Sequence, residues 1–449
     1  MNGIDELAAL IVRLRIDDIA AAVLDTLRLH VADTICAWIA ATRTAEGKLL
    51  ISYRNRQRPI GQSGDTLSDD LATHCALTRL SEIDDIHLAS MTTPGSIAIP
   101  AAMTLAAALP GADFGDVAPA MLAGYEAMIR LGLAIKGPNV LYRGIWPTYF
   151  AAGFATAAVA ARLMRLDQRQ TAHALSLALN LASPSVGQHH AATTARWFLA
   201  GNAARNGLTA AYAAQAGFTA DTDVLQSRLF PEVYAIEPDL GAMSGAADGA
   251  LALARVSFKP WCAARQTMAA TQALRELLDG GVAAADISEI TAYVLPPHLK
   301  MIDHGIKSGN RASFLTSLPY QLAMTALHPG QMLDLDQPAE LSLPALRSFM
   351  ARVTVTADET LLADYPSAWP ARIVVIAPSG RQERRVHDVP GDPARPFTEA
   401  DLRNKFQGCV THCLGEDAAE RLWQSSLTVL RSRDALLAMI QDLSRVMAS

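Results

Sequence analysis

Glu82-Ile83-Asp84-Asp85, then Met91-Thr92-Thr93-Pro94-Gly95-Ser96, then the apolar run from Ile97 to Leu109, form the stretch on which the reading of this chain turns. Three carboxylates stand within four residues. A Pro-Gly turn follows, and after it comes a segment apolar enough to be fully buried. This order reads as a polar site at the mouth of a buried helix.

Around that stretch the chain has the composition of a large, mostly helical globular protein. It has 449 residues, 51% of them hydrophobic and 18% charged, with abundant Ala and Leu. That length exceeds one ordinary core, so two domains are expected. No apolar run reaches the roughly 18 residues of a membrane span. The net charge of -6, with no Lys/Arg stripe, argues against nucleic acid as a partner. The opening residues, Met1-Asn2-Gly3-Ile4-Asp5-Glu6, are acidic and do not resemble a signal peptide. Together with five scattered cysteines (Cys36, Cys75, Cys262, Cys409, Cys413), this sets the expectation of free thiols in a reducing cytoplasm. Cys409-Val410-Thr411-His412-Cys413 has no second ligand cluster, and on a helix its side chains fan around the axis, so a helix end is expected there and no metal.

Helical spacing dominates the first part of the chain. It is read over Asp17 to Arg43, Ser68 to Leu80, Pro100 to Leu109, Phe114 to Ile135, Asp167 to Leu181 and Gly201 to Ala216, the last stopped by Gly217. The pattern then changes. Ile287 to Leu295, Arg352 to Ala357, Ala371 to Ala377 and Arg381 to Val386 read as strands, the last two joined by Ser379-Gly380 as a hairpin. Helices over Ala312 to Leu327 and Leu343 to Met350 interleave with them, and helix resumes from Thr398. The expected fold is mainly α. An all-helical domain over residues 1–260, completed by residues 398–449, carries a smaller inserted α+β lid over residues 261–397.

Several segments, in order, resemble the MmgE/PrpD family, which contains 2-methylcitrate dehydratase, cis-aconitate decarboxylase and iminodisuccinate epimerase. His30-Val31-Ala32-Asp33-Thr34-Ile35 is similar to its early D-T-(I/L)-(G/A) helix, and Ala76 to Pro100 to its DFDD…HPS…P segment. Leu122-Ala123-Gly124-Tyr125-Glu126 with Ile129-Arg130-Leu131-Gly132 resembles AGYE…RLG. Trp146-Pro147-Thr148, running on to Leu175, resembles the segment opened by HPT. Leu199 to Gly207 is similar to H-x-G-x-AA-x-x-G, Ser257 to Arg265 to KPYPCCR, and Ser317-Leu318-Pro319-Tyr320 to SLPY. The resemblance covers most of the chain. It implies a dimer whose cofactor-free site lies between a helical domain and a lid. It also implies chemistry on small di- or tricarboxylates: proton removal next to a carboxylate, then loss of water, loss of CO2 or reprotonation.

The departures bear on that chemistry. Glu82 replaces the first Asp of DFDD. Thr93 and Trp146 stand where the family has the histidines of HP and HPT, and Met268 where a histidine follows KPYPCCR. Arg196 is the best match to the family lysine ahead of the glycine-rich helix. Lys259, Arg265 and Tyr320 remain. The catalytic candidates are therefore Asp84, His87, His189, His190 and Tyr320, with Glu82 a further group able to move a proton. Asp85 reads as a brace bonding backbone N–H groups. The substrate-binding candidates are Glu82, Thr93, Trp146, Arg196, Lys259, Arg265 and Met268, because guanidinium forks grip carboxylates through paired hydrogen bonds. Gly201 and Gly207 read as sites of close helix approach. No phosphate-cradling loop, dinucleotide fingerprint or nucleophile elbow is found. A cofactor-independent lyase or isomerase on a small carboxylic acid is the first reading. A non-catalytic binder of a metabolite or protein partner, or an enzyme with changed chemistry on a less charged substrate, is the alternative.

Overall fold

The computed structural model describes residues 2–57, 66–183, 193–245, 249–307, 310–335 and 343–448. These fall into two compact units, one of residues 2–183, 193–258 and 399–448, the other of residues 259–398. The protein is mainly α, with a single four-stranded sheet among the described residues of the second unit.

In the first unit the helices Gly95–Ala108, Val117–Ala134, Pro147–Leu163 and Ala195–Gln215 pack side by side, and Leu67–Leu80 packs on two of them. The sequence explains the closeness. Alanines fill the facing surfaces, and glycines stand where even a methyl group does not fit. A Cβ on Gly207 would lie 2.2 Å from the Gly153 carbonyl oxygen, and one on Gly201 would lie 2.3 Å from that of Ala72. Both glycines hold helix backbones in contact, as their spacing predicts. The Gln168–Asn180 helix opens with a capping box in which Asp167 accepts from the Gln170 N–H and Gln170 reaches back to the Asp167 N–H. The last helices, Glu399–Leu414, Glu416–Ser426 and Arg433–Ala448, return to this unit, the first of them packing on Ala21–Ala41.

In the second unit the strand order is β2-β1-β3-β4, with β1 Glu289–Val294, β2 Val353–Ala357, β3 Ala371–Ala377 and β4 Gly380–Val386. β1 and β2 are parallel, Ile290 opposite Val353, so the chain between them crosses over through helices. β3 lies antiparallel to β1 and to β4, and the β3–β4 pair is the expected hairpin, closed by Pro378-Ser379. The Arg265–Asp279 helix covers β3 and β4. Two helices differ from the sequence reading. The Ala312 to Leu327 segment is two helices, Arg311–Thr316 and Leu318–Leu327, because the Ser317 hydroxyl caps a new start by accepting from the Tyr320 N–H. The helix expected from Pro100 begins at Gly95 and carries Pro100 inside it.

Gly207→Ala should cost about 1–3 kcal/mol by forcing two helices apart, although alanine ordinarily favours a helix over glycine by roughly 0.5–1 kcal/mol. Gly330→Ala, where an added Cβ meets nothing within 4 Å, should be near neutral. Urea-unfolding midpoints of the two variants check this.

Candidate active site

The Leu67–Leu80 helix ends at the acidic segment, and its Arg79 binds two of the three carboxylates. Arg79 Nη1 donates to both Asp84 oxygens at 3.0 and 3.1 Å, and Nη2 to Glu82 Oε1 at 3.0 Å. All three side chains are buried. Glu82 has φ 60°, the left-handed region a non-glycine residue rarely adopts, and so does Met91 at φ 56°. Strained backbone of this kind gathers at functional sites. The segment from Glu82 to Met91 is thus held at both ends in a conformation that only its surroundings enforce.

Asp85 is the brace the sequence reading favours. Its Oδ2 accepts from the Tyr125 hydroxyl at 2.6 Å and from His30 Nδ1 at 2.8 Å, and its Oδ1 accepts from the Gly95 N–H at 2.8 Å. Phe258 stacks on the His30 ring at 4.2 Å. A Cβ on Gly95 would lie 2.5 Å from Asp85 Oδ2, so glycine is required there. Beside this, Lys405 of the Glu399–Leu414 helix donates to Asp33 at 2.5 Å and to the Ile83 carbonyl at 2.8 Å. Burial works against the Lys405 charge, but Asp33 outweighs it and raises the ammonium pKa.

Thr93, in the place of a family imidazole, joins a cluster of hydroxyls. Its N–H donates to Thr148 Oγ1 at 3.1 Å, and its own Oγ1 lies 3.2 Å from Ser96 Oγ and 3.3 Å from Thr148 Oγ1. Trp146, in the place of another, lies against a cation. The Arg196 guanidinium sits 4.6 Å from the Trp146 ring centroid and 4.5 Å from that of Trp197. Arg196 Nη2 is 3.7 Å from Glu82 Oε1, outside hydrogen-bond range, and the buried Nε has no partner among the described residues. Tyr149, three residues after Trp146 and edge-on to it at 5.9 Å, buries a hydroxyl with no partner among the described residues.

His87 faces inward on the same loop. Its Nδ1 accepts from the Ser90 N–H at 3.2 Å, which leaves the ring proton on Nε2. Burial, and then Arg255, push its pKa down to about 4. His189 and His190 lie outside the described residues. Within the second unit, Lys259 is buried and Met268 is fully enclosed. Arg265 pairs with Asp392 at 2.6 Å and stacks near Trp369, while its Nε and Nη1 have no partner among the described residues. The Tyr320 hydroxyl is likewise buried with no partner there, and burial raises its pKa. Among the described residues, no three His, Cys, Asp or Glu side chains are grouped to hold a metal, and no helix is long and apolar enough to cross a membrane.

Of the candidates, the structure brings Glu82, Asp84 and Arg196 into one cluster with Trp146, and places Thr93 in the neighbouring hydroxyl group. Arg79, Trp197, Tyr149 and Thr148 complete it and carry no assignment from the sequence. Arg79 has one legible signal, a cation three residues ahead of a carboxylate at a helix end. Trp197 has only its adjacency to Arg196.

Comparison with known proteins places the chain in a family. The MmgE/PrpD N-terminal domain model matches residues 5–239, and the C-terminal domain model matches residues 261–429. The chain belongs to the MmgE/PrpD family. Two cis-aconitate decarboxylases of Aspergillus terreus, one from strain NIH 2624 / FGSC A1156, are each 29% identical over 225 residues, which is 47% of this chain and 45% of theirs. The chain thus spans about half the length of the curated relatives it matches. Within the family segments, the acidic stretch and the AGYE helix meet through Asp85 and Tyr125. The AGYE…RLG segment also holds an internal ion pair, Glu126 with Arg130 at 2.7 Å.

Two buried imidazoles make stability depend on pH. His87 titrates at about 4 and His298, pushed down by burial and then by Arg265, at about 3. In the unfolded chain both take up protons near pH 6.5. Between pH 6.5 and about 4 the unfolded state therefore binds more protons, and stability falls as pH falls. Each imidazole contributes roughly 1.4 kcal/mol per pH unit in that window. Urea midpoints at pH 7.5 and 5 should fall less for His87→Gln/His298→Gln than for the unmodified protein.

Proposed function

We propose that this protein is a lyase-type enzyme that removes a proton next to the carboxylate of a small carboxylic acid. Arg196 grips that carboxylate and Glu82 takes the proton. The observation that carries this reading is the contrast between the two guanidinia. Arg79 is occupied by three hydrogen bonds to Asp84 and Glu82. Arg196 lies over the rings of two indoles, with its Nε unpartnered among the described residues and Glu82 alongside at 3.7 Å. Stacking fixes the plane of the fork without using its N–H groups, which preorganises it for a carboxylate. The name of the relatives, cis-aconitate decarboxylase, supports a small carboxylic acid as the substrate class.

Glu82 accepts the proton as the C–H electron pair moves into an enediolate, whose negative charge faces Arg196. That charge then expels a β-substituent and leaves a carbon–carbon double bond. The Tyr149 hydroxyl, buried and without a partner among the described residues, supplies the leaving group's proton. Arg79 and Arg196 against Glu82 and Asp84 sum to no net charge, and Trp146 adds an apolar wall. Both features favour a substrate with fewer carboxylates than a tricarboxylate. Lys259 enters as a carboxylate holder through the family resemblance alone.

A second reading, a non-catalytic metabolite binder, is favoured by one observation: Thr93 replaces an imidazole with a hydroxyl already engaged with Ser96 and Thr148.

A panel of small mono-, di- and tricarboxylic acids, followed by ultraviolet absorbance, tests the proposal. Turnover should fall by roughly 10²–10⁴ in Glu82→Gln and by a comparable factor in Arg196→Ala. Full activity in Arg196→Ala ends the reading. Calorimetric binding that needs Arg196, with no turnover of any compound, moves the protein to the second reading.

A further inference from the structure

We propose that the second unit carries a separate pocket for a small organic polyanion, built from Lys300, His304, Lys307 and Asn310. The pocket encloses about 350 Å³, within the range of small-ligand sites. Its walls come from the end of the Pro296–Ile302 helix, the following loop and the Arg311–Thr316 helix. It shares no residue with the reaction centre proposed above and does not rest on that reading.

Charge is the first argument. Lys300 and Lys307 line the pocket and have no ion-pair partner among the described residues, and no Asp or Glu is part of its described wall. Asp303 is exposed on the same loop but does not line it. In a protein of net charge -6, two ammonium groups at one cavity, with no ion-pair partner among the described residues, form a local positive focus.

The second argument is that the described wall residues are tied to one another. The Lys307 N–H donates to Ser313 Oγ at 2.9 Å, the Ser313 hydroxyl donates to the Asn310 carbonyl at 2.8 Å, and the Asn310 N–H donates to the Lys307 carbonyl at 3.1 Å. Asn310 Oδ1 accepts from the Ser313 N–H, which leaves its amide NH₂ as a donor. His304 is pinned on both sides. Nδ1 faces the Gly305 carbonyl at 2.7 Å, which can only accept. Nε2 faces Thr316 Oγ1 at 3.0 Å, and that hydroxyl already donates to the Ala312 carbonyl. Both ring nitrogens therefore face hydrogen-bond acceptors and hold the ring in place. Hydrogen bonds thus tie the Lys307 backbone, Asn310, Ser313 and the His304 ring into the cavity wall before any ligand arrives, which lowers the ordering cost of binding there.

The chemistry of the wall defines the ligand. Two lysines call for at least two negative charges, and Met301, Ile306 and Ala312 on the remaining wall call for a carbon skeleton. Polycarboxylates and organic phosphates share this chemistry.

Isothermal titration of the full chain with citrate, and separately with glycerol 3-phosphate, tests the proposal. At least one probe should bind at sub-millimolar to low-millimolar concentration. Lys300→Gln/Lys307→Gln should weaken it tenfold or more, Lys300→Arg/Lys307→Arg should retain it, and Arg196→Ala should leave it unchanged. Tighter citrate binding marks a carboxylate ligand and tighter glycerol 3-phosphate binding a phosphorylated one. Equal affinity in the unmodified and Gln/Gln proteins, both folded by circular dichroism, overturns the proposal. So does the absence of heat with both probes, or binding that is lost in Arg196→Ala and kept in Gln/Gln.

Discussion

The carboxylate of Asp85 is the constraint on which the first unit's site depends. It accepts from an aromatic hydroxyl, an imidazole and a backbone N–H, each supplied by a different helix. Hydrogen bonds to a charged group are worth about 1.5–3 kcal/mol each, and here all three converge on one buried anion. The tie fixes the start of the Gly95–Ala108 helix against Tyr125 and His30. The loop from Glu82 to Met91 then has no freedom to relax its two left-handed residues. Glu82 points at two guanidinia because Asp85, three residues on, cannot move.

The two arginines beside Glu82 show how one residue type serves two purposes. Arg79 uses its fork as a clamp that compensates two carboxylates, and such a buried ionic group is costly to break. Arg196 is oriented by aromatic faces, which stabilise a cation by about 0.5–2 kcal/mol without occupying its donors. The family imidazole at position 146 is thus replaced by a group that holds a cation in place, and the one at position 93 by a hydroxyl woven into its neighbours. On the proposed reading, these changes move the site from imidazole acid/base groups toward a carboxylate–guanidinium pair.

The fold was readable because its signals are local. Ala-rich helical periodicity, the alternation in β1 and β3, the Ser379-Gly380 turn and the capping box at Asp167 each act within a few residues, and each stands where the periodicity puts it to within a few positions. Two boundaries misled for equally local reasons. The Ser317 cap restarts a helix inside a continuous apolar pattern, and the Gly95–Ala108 helix tolerates a proline at its sixth residue. The site was only partly readable. Glu82, Asp84, Trp146 and Arg196 stood out because family motifs mark them. Trp197, Tyr149 and Thr148 did not, because the cluster they join is closed by pairs distant in the chain, Thr93 with Thr148, Trp146 with Arg196 and Arg79 with Trp197, and no spacing encodes those. His30 and Tyr125 lay within recognised motifs, yet nothing in the sequence said that both aim at Asp85.

The ammonium of Lys405 closes on Asp33 and on the carbonyl of Ile83, at opposite ends of the polypeptide. On a ribosome, synthesis runs past the whole sheet-bearing unit before that lysine emerges. The N-terminal helices must therefore wait, with a buried acid lacking its counter-ion, while some 140 intervening residues (259–398) are made and begin to fold. Unlike multidomain chains that finish one module before starting the next, this one completes its first body last.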